Sequence, residues 1–384
     1  PPPAFSSLVP DLEALVAHVE RAVRAGRAPS VDPTAVSRIS RGLAGAVVPP
    51  LTLKRTGHRL WHACTAAASP KAPLLVGAPA AGMRELACEL IETGMARTGA
   101  WSARDQFDLM LQWAMTGKAW LDLGAYTAAV RSLSRSSSAW DVCVQDGKSG
   151  DILEGEPQRL EEVSLQTHMW MSTALAHTER HDQALVALSK AVAMLKASPS
   201  LASVSLGLFL QACREQAAML REGSRTRLAA DVLALACSAL ADTAPRAGDA
   251  SGSGGAAAWA PQSERAEVVR QLASCLVELG DFPAAAARAR EALQLEAKGR
   301  PSGHAKSART LISALCGLAV GADADASVSE ELSAAVVDFA AHPRAKLADC
   351  FSACRELADR GLDEALVACL AQVRASRRDR PEDM

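Results

Sequence analysis

Six residues, Gly77-Ala78-Pro79-Ala80-Ala81-Gly82, follow the apolar run Leu74-Leu75-Val76 with the glycine spacing of a phosphate-cradling loop. Such a loop holds phosphate oxygens on successive backbone N–H groups. It places Lys and then Ser or Thr directly after the second glycine. Met83 and Arg84 stand there instead, and Pro79 removes one donor, so nucleotide binding is not expected. Cys350 and Cys354 lie one helical turn apart, as do His177 and His181, which is a spacing metal ligands use. No second ligand pair neighbours the cysteines. The histidines straddle an expected helix end and lack the glutamate of a zinc-protease helix. Glu161-Glu162 and Glu330-Glu331 sit in amphipathic stretches and read as solvated faces rather than acid–base pairs. Neither GxSxG nor HExxH occurs. The expectation is a chain with no catalytic residue, no metal site and no cofactor.

The elements around these residues carry a clearer message. Trp113, Gly117, Trp120, Gly124, Tyr126, Ala129 and Leu133 have the spacing of a tetratricopeptide (TPR) helix–turn–helix. Large residues open and close helix A, and a small residue between them lets helix B approach. Gly124 supplies a left-handed cap. Tyr126 starts helix B, and Ala129 is small where the two helices cross. The two tryptophans are expected in the core, where truncating Trp120 costs about 3–5 kcal/mol. One such unit cannot bury its apolar faces alone, so neighbours are required.

Neighbours are present. Residues 165–199 offer Leu175, then Ala184, Leu188 and Ala191, with Pro199 beyond. Residues 269–301 offer Leu272, Ala273, Leu276, Gly280-Asp281-Phe282, Ala285, Ala289 and Ala292, with Pro301 as a late stop. A weaker copy surrounds Gly223. Turn positions 124, 179, 223 and 280 stand 44 to 57 residues apart, against a TPR period of about 34. The fold class expected is all-α: a TPR-like α-solenoid of antiparallel helix pairs with irregular repeat length.

Composition agrees. Of 384 residues, 49% are hydrophobic but only 4% aromatic, so Ala and Leu must build the core by close helix packing. A net charge of −2 lacks the basic footprint of a nucleic-acid binder, and Arg374–Arg380 is the one locally basic stretch. Ten cysteines without a CxxC pair sit in apolar helical runs, which suits a reducing intracellular setting. No run approaches the roughly 18 apolar residues of a membrane span, and no signal peptide is recognisable. The start at Pro1 suggests part of a longer protein. Asparagine is absent. That excludes the lysine–asparagine carboxylate clamp of TPR cochaperones, asparagine ladders and N-glycosylation.

The expected organisation is N-terminal helices and a first repeat over 1–143, with 70–82 as a Pro/Gly-rich loop. Middle helix pairs follow over 159–242. A Gly/Ser/Ala-rich segment over 243–262 is expected to be mobile and dispensable for folding. C-terminal helices span 263–374, and a polar tail covers 375–384.

Three segments together resemble one family. They are Leu53–Cys64 with its Leu60-Trp61 pair, Trp113–Trp140 with Lys118-Ala119-Trp120-Leu121-Asp122-Leu123, and Arg159–Lys196 with Ala184-Leu185 and Leu188–Ala191. In order and spacing, residues 50–200 are similar to the Spo-twenty-two/Zip-four family of meiotic TPR proteins. The resemblance implies a nuclear, chromosome-bound scaffold that is not an enzyme and promotes crossover formation and synaptonemal complex assembly. Its implied partners are recombination and chromosome-axis factors. The alternative is a TPR regulatory or sensor module binding a peptide or small ligand.

In either case the working surface is expected on helix A, at positions not needed for packing. Registering on Gly124 selects Ala114, Lys118, Leu121 and Asp122. Registering on Ala184 selects Met169, Thr173 and His177. Registering on Gly280 selects Arg270, Ser274, Val277 and Glu278. The mixture suits an amphipathic peptide or helix, with Lys118 and Asp122 reading the partner.

Overall fold

A computed structural model describes residues 8–43, 48–67, 76–99, 102–145, 157–243, 259–297, 303–320 and 326–378. Among these residues there are sixteen helices and no strand. The chain divides into two compact units, 1–194 and 195–384, a boundary that falls inside the 159–242 stretch.

Unit 1 holds α1 (Leu8–Arg24), α2 (Pro33–Leu43), α3 (Pro50–Ala67), α4 (Gly77–Thr98), α5 (Ala103–Asp122), α6 (Tyr126–Gln145), α7 (Pro157–His177) and most of α8 (His181–Ala197). Leu12, Val16 and Val19 recur at helical spacing and meet Leu53, Leu60, Leu86 and Leu90 in one buried cluster. Helix α3 packs on α4, α5 on both α4 and α6, and α7 on both α5 and α6. That is the neighbour pattern of stacked helix pairs.

Unit 2 holds α9 (Pro199–Glu222), α10 (Thr226–Thr243), α11 (Trp259–Glu278), α12 (Phe282–Ala297), α13 (His304–Ala319), α14 (Ala326–Ala341), α15 (Leu347–Asp359) and α16 (Asp363–Arg378). Its pairs stack in the same way, α11 on α12 and α12 on α13. The core is alanine-rich, with Ala285 and Ala289 against Ile312, Leu315, Val336 and Phe339. Each unit is therefore a TPR-like run of antiparallel helix pairs.

One turn recurs. Gly26, Gly124, Glu179, Ser224, Gly280 and Gly361 all have φ between 58° and 78°. At each, the residue's N–H donates to the carbonyl three back, and the next N–H donates to the carbonyl five before it. At the first repeat these bonds are Gly124 to Leu121 (2.9 Å) and Ala125 to Trp120 (3.0 Å). This pairing is the Schellman motif, which satisfies the last carbonyls of the helix. An alanine follows five residues later at Ala129, Ala184, Ala229 and Ala285, each at most 1% exposed. The third turn corrects the sequence register. Gly223 has φ −80° and the left-handed residue is Ser224, so the turns stand at 124, 179, 224 and 280.

Three segment boundaries differ from expectation. Gly77–Gly82 is not a loop but the first turns of α4. Trp259–Gln262 is the start of α11, and α16 runs to Arg378 into the expected tail. The rest of the 243–262 segment, from 244 to 258, lies outside the described residues, as do 68–75 and 379–384.

Candidate functional site

The residues of the first repeat fall into three groups by what they touch. Trp113 is 1% exposed and packs with Ile91, Met95 and Leu109, with the Arg135 guanidinium 4.7 Å from its ring. Gly117 is where α6 comes closest. A Cβ there would stand 2.5 Å from Leu133 Cγ, so only hydrogen fits. Ala129, Ala184 and Ala285 fill the matching small positions. Phe282 is half-buried and covers Gly317, whose hypothetical Cβ would meet the ring at 2.2 Å.

Trp120 is a correction. It does not fill the core between α5 and α6 but is half-buried and turned toward α4, where its Nε1 donates to Glu85 Oε2 at 3.2 Å. The physical reason is helical spacing: Trp120 follows Trp113 by two turns and so shares the face that Trp113 turns to Ile91 and Met95 of α4. Tyr126 is also only half-buried. Its ring stacks on His177, with centroids 4.0 Å apart and planes 4° from parallel.

The expected helix-A surface is partly realised. Lys118 forms an ion pair with Asp122 one turn on, and its Nζ lies 5.9 Å from the Trp170 ring centroid on α7. Leu121 is half-buried and Asp122 exposed. His177 is exposed at the end of α7, and burial of part of its ring lowers its pKa below the ordinary histidine value. Lys118 and Trp170 thus form one cation–aromatic contact, and Tyr126 and His177 one ring stack, each across neighbouring helices of unit 1. Ala114 and Met169 are corrections, at 1% and 7% exposed. Helices inside a stack are flanked on several sides: α5 touches α4, α6 and α7, which leaves little of either helix free. Thr173 is half-buried, its hydroxyl donating to the Met169 carbonyl at 3.2 Å.

Arg270, Ser274, Val277 and Glu278 lie in unit 2. Arg270 is half-buried and bonds Glu267 within α11. Burial raises the Glu267 carboxyl, but the hydrogen bond and charge of Arg270, with the Gln271 hydrogen bond and the Arg214 charge, together leave the pKa below the usual range. Ser274 and Val277 are half-buried. Glu278 accepts from Arg221 on α9 and from Thr226 Oγ1 at 3.2 Å. Both charged candidates are thus engaged within their own unit.

The residues with chemical spacing are structural. Glu331 accepts both a 2.6 Å Nε bond and a 2.6 Å Nη bond from Arg290, which holds its carboxyl below the usual range. Burial pushes the thiols of Cys64, Cys316 and Cys369 up to about 12 and those of Cys237 and Cys275 to about 11. A protonated thiol is neither a nucleophile nor a good metal ligand. Cys350 and Cys354 are both buried, and Cys354 Sγ lies 3.4 Å from Cys369 Sγ. Among the described residues no group of three or more His, Cys, Asp or Glu could hold a metal ion. No described helix is long and apolar enough to cross a membrane.

A cavity of about 580 Å³ in unit 1 lies beside Trp120 and was not anticipated. It is bounded by α2, α4, α5 and α6. Glu85 joins Trp120 to Arg131, accepting from Arg131 Nε at 2.9 Å and from its Nη at 2.6 Å. Glu85 and Arg131 are 46 residues apart in sequence, and no local pattern announces the pair. Trp170 was also missed, although it precedes the candidate His177 by two helical turns on the same helix.

No family model and no curated protein matches the chain. Solved structures do. A circular tandem repeat protein with novel repeat topology is 15% identical, with 98% of this chain and 96% of that chain covered at a TM-score of 0.36. A signal transduction ATPase with a tetratricopeptide repeat sensor, from Pyrococcus horikoshii, is 9% identical over 96% of this chain and 53% of that one, at 0.38. The apo form of RapI is 11% identical over 98% of each chain, at 0.33. The fold assignment rests on the helix pairs and their turns.

Proposed function

We propose that this chain is a non-enzymatic protein-interaction scaffold whose helix-A side in unit 1 takes an amphipathic peptide or helix. The observations that support this are the Lys118 ammonium over the Trp170 ring and the stacked rings of Tyr126 and His177, each joining neighbouring helices of unit 1. Aromatic rings flanked by charge are the usual anchors of peptide recognition. The finer reading is a meiotic scaffold in the nucleus, on chromosomes, with recombination and chromosome-axis factors as partners. It draws on the resemblance of residues 50–200 to the Spo-twenty-two/Zip-four family. The cavity at Trp120 favours the alternative, a regulatory module that answers to a peptide or small ligand.

Proximity labelling by the full chain in meiotic cells tests both levels. Enrichment of recombination or axis proteins, lost when Lys118 and Asp122 are both replaced by Ala, is the expected result. Partners retained by the double variant would remove the helix-A surface from the proposal. Partners of unrelated function would remove the meiotic reading and leave the scaffold.

A further inference from the structure

The cavity beside Trp120 has the make-up of a ligand site. At about 580 Å³ it falls within the roughly 300–1,000 Å³ range that holds small organic ligands. Its apolar wall presents Val36, Pro79 and Trp120, with the buried Met83 and Leu86 behind them. Trp120 is held before any ligand arrives, because its Nε1 is tied to Glu85 and Glu85 is tied in turn to Arg131. A fixed ring lowers the ordering cost of stacking something against it.

The charges lining the cavity then decide what kind of ligand fits. Glu85 is neutralised by Arg131. Glu89 accepts from the Ser40 hydroxyl and faces Arg135 at 3.8 Å. Neither carboxylate is free to take a cation. Arg41 is different. Its Nε donates to the Ser37 carbonyl at 3.1 Å, and it is exposed without a carboxylate partner among the described residues. Its two terminal nitrogens remain as a planar fork, the geometry that pairs with a carboxylate. The first turn of α4 adds potential of the same sign, since Val76 caps it with no side-chain acceptor and Ala78 and Pro79 border the cavity.

We propose that this cavity binds a small amphipathic carboxylate, its flat apolar body against Trp120, Val36 and Pro79 and its carboxylate on Arg41. The site is separate from the helix-A surface, so its failure would leave the scaffold reading untouched. The test titrates 2-naphthoate and its neutral analogue 2-naphthamide into the full chain by calorimetry. Naphthoate is expected to bind at about 1 mM or tighter. The amide on the wild type, and naphthoate on Arg41→Gln, should each be weaker by about tenfold or more. Arg41 is exposed, so Arg41→Gln should melt as the wild type does. Trp120→Leu, which keeps apolar bulk without the ring, should also weaken naphthoate binding.

A competition arm identifies the source of the carboxylate. Displacement of naphthoate by acetyl-Gly-Gly-Phe with a free C-terminus, but not by its C-terminal amide, assigns the site to a peptide terminus. Failure of both peptides to displace it assigns the site to a free acid. Either result upholds the proposal. Equal affinity for acid and amide, undiminished binding by Arg41→Gln, or no saturable binding of naphthoate would overturn it.

Discussion

The Schellman turn at Ser224 carries its glycine one residue too early, and correcting this should stabilise the chain. Ser224 sits at φ 58°, where an L-residue crowds its own backbone at a cost of about 1–2 kcal/mol. Gly223, beside it, has φ −80° and ψ 13°, which any residue adopts. Ser224→Gly removes the crowding but enlarges the unfolded ensemble by about 0.4–1 kcal/mol, for a net gain of about 0.5–1 kcal/mol. Gly223→Ala narrows the unfolded ensemble by a similar amount. Its new Cβ would stand 3.5 Å from the Leu220 carbonyl oxygen and 3.6 Å from that of Met219, ordinary contacts that cost nothing.

The double variant should therefore gain about 1–2 kcal/mol, less any coupling between adjacent sites. For a unit of this size that is roughly 2–8 °C in melting temperature. Thermal melts followed by circular dichroism at the helix minimum read it directly. Gly124→Ala is the opposing control. Gly124 has φ 71° and no atom closer than Tyr126 Oη at 4.0 Å to a new Cβ, so its loss of about 1 kcal/mol is purely conformational. A Ser224→Gly variant that melts below wild type would refute the assignment of the left-handed residue. So would a Gly223→Ala variant that loses stability.

Three further outcomes are expected. Gly117→Ala should cost about 1–3 kcal/mol by overpacking Leu133, seen as an earlier urea midpoint at unchanged slope. Trp113→Ala should cost about 3–5 kcal/mol and half-buried Trp120→Ala about half that, a ranking that equal thermal melts would contradict. Burial, helped by Lys190 and opposed by Asp141, lowers the His168 imidazole to about 4, so the unfolded state binds more protons below an ordinary value of 6.5. Stability should be complete above about pH 6.5 and fall as pH drops toward 4, and His168→Gln should flatten that slope in urea titrations at pH 7 and pH 5.

The helix pairs were legible because their signals are local. Trp113, Gly117, Gly124 and Ala129 announce themselves within one helix–turn–helix, and each has the role its spacing implies. The surface was legible only where exposure depends on one pair, as at Lys118, Asp122 and His177. Ala114 and Met169 are buried by a third helix that helix–turn–helix spacing does not encode. Trp120 turns to α4 rather than α6, and no short-range signal shows this. Its partner Glu85 lies 35 residues upstream and is oriented by Arg131 on yet another helix. Binding sites made from such long-range contacts leave no period in the sequence.

The prolines show how one residue type can mislead and still carry the answer. Pro199 reads as lying beyond a helix, and Pro79 and Pro261 fall in an expected loop and an expected mobile segment. In the fold they stand at helix starts. Pro33, Pro50, Pro157 and Pro199 are the first residues of α2, α3, α7 and α9. Pro283 is second in α12, and Pro79 and Pro261 are third in α4 and α11. The first N–H groups of a helix have no partner within it, so proline loses nothing there and its fixed φ is already helical. Ser198 shows the full signal before Pro199, its hydroxyl accepting the Leu201 N–H at 3.4 Å. Reading each proline as a start moves the beginning of α4 back to Gly77 and that of α11 back to Trp259. The first of these shifts places Ala78 and Pro79 at the edge of the Trp120 cavity. A Pro/Gly-rich stretch that failed as a phosphate loop therefore forms part of the wall of the candidate ligand site.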